Sequence, residues 1–89
     1  MSLHQNDESA RRKIAAWQKA IIVGGYDPSI YRKDRFGLWI KWQEYGMTTN
    51  YGWEIDHIVP TSLGGLFVPS NEEATHWQNN RRKSNKFVG

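Results

Sequence analysis

The sequence predicts a small α+β domain, in which a helix, β segments, a loop and a second helix follow one another. Three observations predict this class: apolar residues at helical spacing near the N-terminus, two central stretches rich in aromatic and β-branched residues, and a helix-start pattern near the C-terminus. The chain has 89 residues, which corresponds to one compact domain. Within it we expect an N-terminal helical extension over residues 1–35 and a core over residues 36–89.

The first helix is expected to begin near Asn6 or Asp7, because both residue types are good N-caps. Gly24-Gly25 is expected to end it, since glycine commonly follows the last helical turn. The apolar stripe at helical spacing consists of Ala10, Ile14, Trp17 and Ile21.

Two β segments are predicted in the centre of the chain, over residues 36–42 and 51–60. Side chains alternate between the two faces of a strand. In the second segment this alternation places Trp53 and Ile55 on one face and Asp56 on the other. A loop that contains Gly64-Gly65 follows the second segment.

The second helix is predicted from a capping box, with Ser70 as the N-cap and Glu73 at the third helical position. It is expected to run to about Arg82. Basic residues near that end would complement the negative end of the helix dipole.

Charge is distributed unevenly along the chain. Eight of the twelve Lys and Arg residues lie in residues 11–41 and the other four in residues 81–86. Between them, residues 42–80 contain acidic residues but no Lys or Arg. An acidic centre between basic flanks favours a site where carboxylates hold a cation and basic residues contact phosphates.

Composition also excludes several classes of protein. There is no cysteine, which excludes disulfides, a thiol nucleophile and a Cys-ligated zinc site. No apolar run approaches the roughly 20 residues that span a bilayer, and the N-terminus lacks the pattern of a signal peptide. We therefore expect a cytoplasmic protein with no membrane partner.

The motifs that indicate chemistry lie in the second half of the chain. Residues 52–60 read Gly-Trp-Glu-Ile-Asp-His-Ile-Val-Pro, and residues 76–80 read His-Trp-Gln-Asn-Asn. With the Gly-Gly pair and Asn71 between them, these strings resemble the HNH nuclease family, in particular a compact bacterial and phage subgroup. The resemblance covers roughly residues 36–86 and is strongest over 53–83. It implies a ββα-metal (His-Me finger) core, in which a β-hairpin, a loop and a helix enclose one divalent metal ion.

The resemblance also implies a role for each matching residue. His57 would be the general base, Asp56 and Asn80 would bind the metal, and Asn71 would brace the loop that holds His57. The residue types suit these roles: histidine titrates near neutral pH, and the oxygen ligands of Asp and Asn favour Mg²⁺ or Mn²⁺. About 2.5 helical turns would separate Asn71 from Asn80 and place them on opposite faces of the predicted helix.

His76 is open to two interpretations. It lies four residues before Asn80, on the same face of the predicted helix, where it would be a third ligand or a packing residue. Ligation by His76 would make Zn²⁺ or Ni²⁺ more plausible. Many members of the family carry a separate zinc site with a Cys in this area and another at the position of Asn79. That zinc site is expected to be absent here.

The predicted function is that of a metal-dependent DNA endonuclease, and the resemblance to the family implies products with a 5′-phosphate and a 3′-hydroxyl. RNA as substrate is left open, as are a homodimer and a partner protein that supplies targeting. The alternatives are a non-catalytic nucleic-acid-binding module, such as a subunit of a phage or restriction assembly, and a structural zinc-binding domain, against which the lack of cysteine counts. The residues expected to contact phosphates, rather than only to cap the last helix, are Arg81, Arg82, Lys83 and Lys86.

Overall fold

The computed structural model describes the backbone of residues 3–88 and the side chains of residues 8–83. Over these residues, two helices and two small antiparallel sheets form a small α+β domain, as the sequence predicts. The helices and strands in chain order are α1 (Leu3–Gln18), β1 (Tyr31–Lys33), β2 (Trp39–Lys41), β3 (Trp53–His57), β4 (Glu72–His76) and α2 (Trp77–Val88). Neither described helix is long and apolar enough to cross a membrane.

The first helix, α1, begins before the predicted start and ends at Gln18 rather than at the Gly-Gly pair. Ile21 lies outside it, because its backbone N–H and carbonyl pair with Lys33 at 2.8 and 3.0 Å. This bridge satisfies the backbone groups that another helical turn would have used. Of the predicted stripe only Trp17 is buried, because Ala10 and Ile14 are exposed and Ile21 is not helical. The other buried residue among the described side chains of α1 is Ala16. The predicted N-caps lie outside the described side chains.

Strand β1 is not indicated by the hydrophobic pattern, because two of its three residues are charged. It pairs with β2 in an antiparallel hairpin, with Tyr31 opposite Lys41. The segment predicted over residues 36–42 is a strand only at its centre, since Gly37, with φ of +93°, lies in the hairpin turn. The hairpin spans the boundary expected between residues 35 and 36.

Strand β4 overturns the predicted start of the second helix. Residues 72–76 pair with β3, with Glu72 opposite His57, and α2 begins at Trp77. Backbone pairing with β3 and the burial of Glu72 and Ala74 outweigh the local capping pattern. The capping box at residues 70–73 is therefore wrong.

The β3–β4 hairpin lies between the two helices. Residues directly opposite each other in an antiparallel pair share a face, so the hairpin has two distinct faces. The face toward α1 carries Ile55, His57, Glu72 and Ala74, and the face toward α2 carries Glu54, Asp56 and Glu73.

The hydrophobic core joins α1 to both sheets. Trp53 of β3 is fully buried, and its ring lies 5.2 Å from that of Trp17, between ring centroids. Trp42 packs edge-on against Trp17 at 5.6 Å. Burial of these large rings provides much of the apolar area that a chain of this length needs. The buried core residues are Ala16, Trp17, Ile40, Trp53 and Ala74.

Candidate functional site

Asp56 lies near the end of β3, on the face that α2 covers. Its side chain is almost buried, and its Oδ2 atom accepts a hydrogen bond from Lys83 Nζ at 2.9 Å. The same ammonium group donates to the carbonyl oxygens of His57 and Ile58. Three oxygen atoms thus surround one positive charge. We call this arrangement the cation position.

Glu54 lies two residues earlier on the same face of β3. Its Oε1 atom accepts a hydrogen bond from Asn80 Nδ2 at 2.9 Å. Asn80 and Lys83 are three residues apart on α2, so they project from neighbouring places on one helix face. The structure therefore brings Asp56 and Asn80 to the same β3–α2 interface, where each already has a partner.

His57 faces the opposite side of the sheet from Asp56. The pairing of β3 with β4 remains regular through His57, which lies opposite Glu72. This regular pairing keeps the side chains of Asp56 and His57 on opposite sides of the sheet. The Nε2 atom of His57 is buried and makes no hydrogen bond, although Glu72 Oε2 lies 3.5 Å away. The ring of Phe67 packs edge-on against the imidazole at 4.7 Å.

Glu72 is a site residue that the sequence analysis did not identify. Its carboxylate is buried and makes a two-pronged contact with Arg12 of α1, at 2.6 and 3.3 Å. The hydrogen bond from Arg12 lowers the pKa of Glu72 below its ordinary value, against the opposing effect of burial. Arg12, Glu72 and His57 therefore form a row from α1 to the end of β3. Arg12 is 60 residues from Glu72 in the sequence, so no local pattern indicates this contact.

Asn71 closes the loop that follows His57. Its side-chain oxygen accepts from the N–H of Val59 at 2.8 Å, and its side-chain nitrogen donates to the carbonyls of Val59 and Leu66. Its backbone carbonyl also accepts from the N–H of Ile58. Asn71 precedes a strand and not a helix. The prediction that Asn71 and Asn80 lie on opposite faces of one helix is therefore wrong. These contacts are nevertheless those that a bracing residue would make.

The Gly-Gly pair occupies two positions in this loop where a residue with a side chain would be strained. Gly64 has φ of +86°, in the left-handed region. A Cβ atom at Gly65 would overlap the carbonyl oxygen of Val59. The two glycines therefore allow the loop to fold back against the end of β3.

His76 does not lie beside Asn80 on a helix, because it is the last residue of β4. Its side chain is buried, and both ring nitrogens have partners. Nδ1 accepts from the N–H of Gln78 at 3.1 Å, and Nε2 donates to the carbonyl of Asn50 at 2.8 Å. It pairs with Trp53, at the other end of β3 from the cation position.

Asp34 is a second buried carboxylate that the sequence analysis missed. Its Oδ1 atom accepts from the N–H groups of Phe36 and Leu38, both at 3.0 Å. Its Oδ2 atom accepts from the N–H of His76 at 3.0 Å and from Asn79 Nδ2 at 2.9 Å. Asp34 therefore attaches the β1–β2 turn to the junction of β4 and α2.

The basic residues at the C-terminus differ in environment. Arg81 is 58% exposed and lies 3.9 Å from Glu54, and Arg82 is exposed. Lys83 is 11% exposed because it occupies the cation position. The side chain of Lys86 lies outside those that the structure describes.

The described side chains include no group of three or more His, Asp or Glu residues placed to hold a metal ion. A two-ligand set of Asp56 and Asn80 is smaller than such a group. Any ion that bound there would compete with Lys83 for the carboxylate of Asp56, whereas Glu54 engages the side-chain nitrogen of Asn80 and not the oxygen that would bind a metal ion.

Comparison with known proteins adds no counterpart of this site. No protein-family model, curated protein or solved structure matches the chain. The features of the chain that bear on its function are therefore its own sequence motifs and the contacts among its described residues.

Proposed function

We propose that this chain is an endonuclease of the HNH type, which hydrolyses phosphodiester bonds in DNA with a divalent metal ion. The motifs at residues 52–60 and 76–80 support this family, and the order β3, loop, β4, α2 supports a ββα-metal core. The cation position is the observation that carries the proposal. There, a carboxylate and two carbonyl oxygens surround a positive charge directly beside the proposed base, His57.

The donor atoms at the cation position fit a hard divalent ion. Asp56 and the neighbouring carbonyl groups offer oxygen, and Asn80 lies at the same interface. Oxygen ligands of this kind are preferred by Mg²⁺ and Mn²⁺. Asp56 and Asn80 would hold the ion once the ammonium of Lys83 has left. When bound, the ion would stabilise the negative charge that develops on the phosphate and the leaving oxygen.

His57 is the proposed general base, which takes a proton from the attacking water. Proton uptake makes the imidazole positive, and the carboxylate of Glu72 lies 3.5 Å from its Nε2 atom to compensate that charge. Asn71 holds the following loop in place. Because Asp56 and His57 face opposite sides of the end of β3, we place the scissile phosphate across this strand end, between the two side chains.

A non-catalytic DNA-binding module is the second candidate, and one specific observation favours it. The ion pair between Lys83 and Asp56 fills the cation position without a metal. A chain in which Lys83 never leaves would keep the fold and its basic surface but would not cut. Metal-dependent turnover separates the two candidates.

The deciding experiment is nicking of supercoiled plasmid in Mg²⁺, Mn²⁺ or EDTA. We expect the wild type to nick in the presence of metal, and His57→Ala and Asp56→Asn to lose nicking while they remain folded by circular dichroism. Asp27→Asn is the matched control, because Asp27 is an exposed carboxylate that bonds to its neighbour Ser29. It should nick as the wild type does.

Two results would reject the nuclease. The first is a folded wild type that binds DNA but does not cut with either metal, which supports the binding module. The second is cutting that persists in His57→Ala, which would place the base elsewhere.

A further inference from the structure

A cavity of about 580 Å³ opens between the β1–β2 turn and α2. It lies next to the cation position, because Ile58 and Lys83 belong to both. The other principal side chains of its wall are Arg35, Phe36, Leu38, Gln78 and Arg82. None of these side chains is assigned a role in the proposed hydrolysis.

The apolar part of the wall is exposed to solvent. Phe36 is 53% exposed, and Leu38 and Ile58 are 37% and 38% exposed. Three apolar side chains that are well exposed and line one cavity form a surface suited to a flat, apolar ligand. An exposed aromatic ring is also suited to stacking.

The polar part of the wall is basic. Arg35, Arg82 and Lys83 line the cavity, and its described lining contains no carboxylate residue. Lys83 is paired with Asp56, and Arg35 lies 2.9 Å from Glu73, while Arg82 is an exposed cation of this wall for which no ion pair is found among the described residues. A ligand that combines a flat ring with a negative charge therefore complements the cavity.

The backbone at Phe36 is held by a hydrogen bond to Asp34, and the guanidinium of Arg35 lies 5.0 Å from the centroid of the Phe36 ring. Asp34, which is fully buried, accepts from the N–H groups of Phe36 and Leu38 and also binds Asn79 of α2. The turn is thus tied to the helix that carries Arg82. A turn whose backbone is held in this way loses little conformational freedom when a ligand binds.

We propose that this cavity binds an unpaired nucleotide of a DNA strand, with its base against Phe36 and its phosphate beside Arg82. The assignment of DNA as the ligand rests on the proposed function. A base that is paired and stacked in a duplex cannot enter a cavity, so the nucleotide must be unstacked or already single-stranded. The amide of Gln78 is available to the edge of the base.

The test is binding of a short fluorescein-labelled single strand to the full chain, measured by anisotropy in EDTA so that no cutting takes place. Phe36→Ala should weaken binding by about 5- to 100-fold, the range expected for loss of one stacked base. Phe36→Tyr keeps the aromatic face and should retain binding. Since Phe36 is exposed, neither change should unfold the chain, and circular dichroism checks this.

An abasic site moved along the strand then tests the contact between Phe36 and one base. At one position, the abasic site should weaken binding by the wild type as much as Phe36→Ala weakens binding of the intact strand. The abasic site at that position should not weaken binding by Phe36→Ala any further. This non-additivity is the sign of a direct contact.

Arg82→Ala should lower the slope of log affinity against log salt by about one. Arg11→Ala removes the same charge from an exposed residue outside the cavity and should leave the coupling to the abasic site intact.

The outcomes for the cavity and for the nuclease are separable. Coupling between Phe36 and one base without plasmid nicking supports the nucleotide site and rejects the nuclease. Nicking without coupling at any position supports the nuclease and rejects the nucleotide site. Failure of the wild type to bind the single strand also rejects the site.

Discussion

Glu72 and Glu73 are neighbours in β4, but the environment shifts their pKa values in opposite directions. Glu72 faces α1, where the hydrogen bond from Arg12 lowers its pKa. Glu73 faces α2, where burial raises its pKa, and Asp56 adds to this effect while Arg35 opposes it. Alternation along one strand thus gives two adjacent carboxyl groups different roles.

The first prediction concerns Glu73. Because its pKa is raised by folding, the folded chain binds this proton more tightly, and stability is lost as pH rises from its ordinary pKa through the raised value. Glu73→Gln should therefore increase the free energy of unfolding at neutral pH, by roughly 1 kcal/mol, with no gain in acid. Urea denaturation at both pH values measures this. Equal stability of variant and wild type at neutral pH would contradict it.

Glu72 has the opposite linkage. Since its pKa is lowered by folding, its contribution to stability is present above the ordinary pKa and is lost as pH falls through the lowered value. Glu72→Gln should therefore lower the free energy of unfolding at neutral pH. The decrease in this free energy between neutral and acidic pH should be smaller in the variant than in the wild type.

The second prediction concerns the catalytic role of Glu72. If Glu72 positions His57, Glu72→Gln should reduce plasmid nicking by roughly 10- to 100-fold and should change the imidazole nitrogen chemical shifts of His57. Glu73→Gln, which changes the other face of β4, is the matched control and should leave these shifts in place. A folded Glu72→Gln chain with unchanged shifts and full nicking would show that Glu72 only stabilises the fold.

At the scale of elements, the attachment of α2 to β3 depends on the polar contacts of two α2 residues. Asn80 binds Glu54, and Lys83 binds Asp56 and two carbonyl groups. Asp56 of β3 is also proposed to hold the metal ion, together with Asn80 of α2. Metal binding and helix attachment through Lys83 are therefore in competition at Asp56.

The third prediction follows from this competition. Lys83→Met keeps the length of the side chain and removes its charge, so the apo chain should become less stable because Asp56 loses its partner. The affinity for Mn²⁺ should rise severalfold, because the ion no longer displaces an ammonium group. Titration calorimetry measures the affinity without reference to activity.

Lys33→Met is the matched control for this prediction, since Lys33 lies on β1 and lies over the ring of Trp39. It should not change the affinity for Mn²⁺. Unchanged or weaker binding in Lys83→Met would indicate that Asp56 and Asn80 do not hold the ion, or that Lys83 does not compete with it.

At the scale of the whole molecule, much of the acidic centre is neutralised by the basic flanks. The charge pattern that predicted phosphate contacts thus also stabilises the fold, because Lys and Arg residues of the flanks form ion pairs with carboxylates of the centre. Fewer cations remain for DNA than the sequence count suggests. Among the side chains of residues 8–83, the ion pairs that involve Lys or Arg are Arg12–Glu72, Arg35–Glu73, Arg81–Glu54 and Lys83–Asp56.

The fourth prediction concerns the contribution of α1 to the core. Trp17 packs against Trp42 and Trp53, and its indole N–H donates to the carbonyl of Pro28. Trp17→Ala should cost about 3–5 kcal/mol, a large part of the stability of a small domain. Calorimetric melting measures the loss. Trp39→Ala is the control at a half-buried site outside the core, and it should cost clearly less.

Several elements were predicted from sequence because their signals are local. The apolar residues of α1, the alternation of β3 and the helical C-terminus are periodic over short stretches. Strand β1 was not predicted, and the start of β4 was predicted as helix, for one reason. Neither a strand of charged residues nor a local capping pattern carries a periodic signal that identifies the neighbouring strand. β2 follows β1 in the chain and β3 precedes β4, so a short stretch of sequence around β1 or β4 does not contain the strand with which it pairs.

The sequence by itself determined which residues are adjacent to one another in the proposed site: the Asp56-His57 pair, the two glycines of the loop and Asn71 beyond them. Only the tertiary structure decided that Asp56 and His57 face opposite helices, that Lys83 fills the cation position and that Arg12 neutralises Glu72. Adjacency along the chain is covalent, whereas these contacts depend on strand register and on helix packing. Register and packing are set by interactions between residues as far apart as Arg12 and Glu72, which no local pattern encodes.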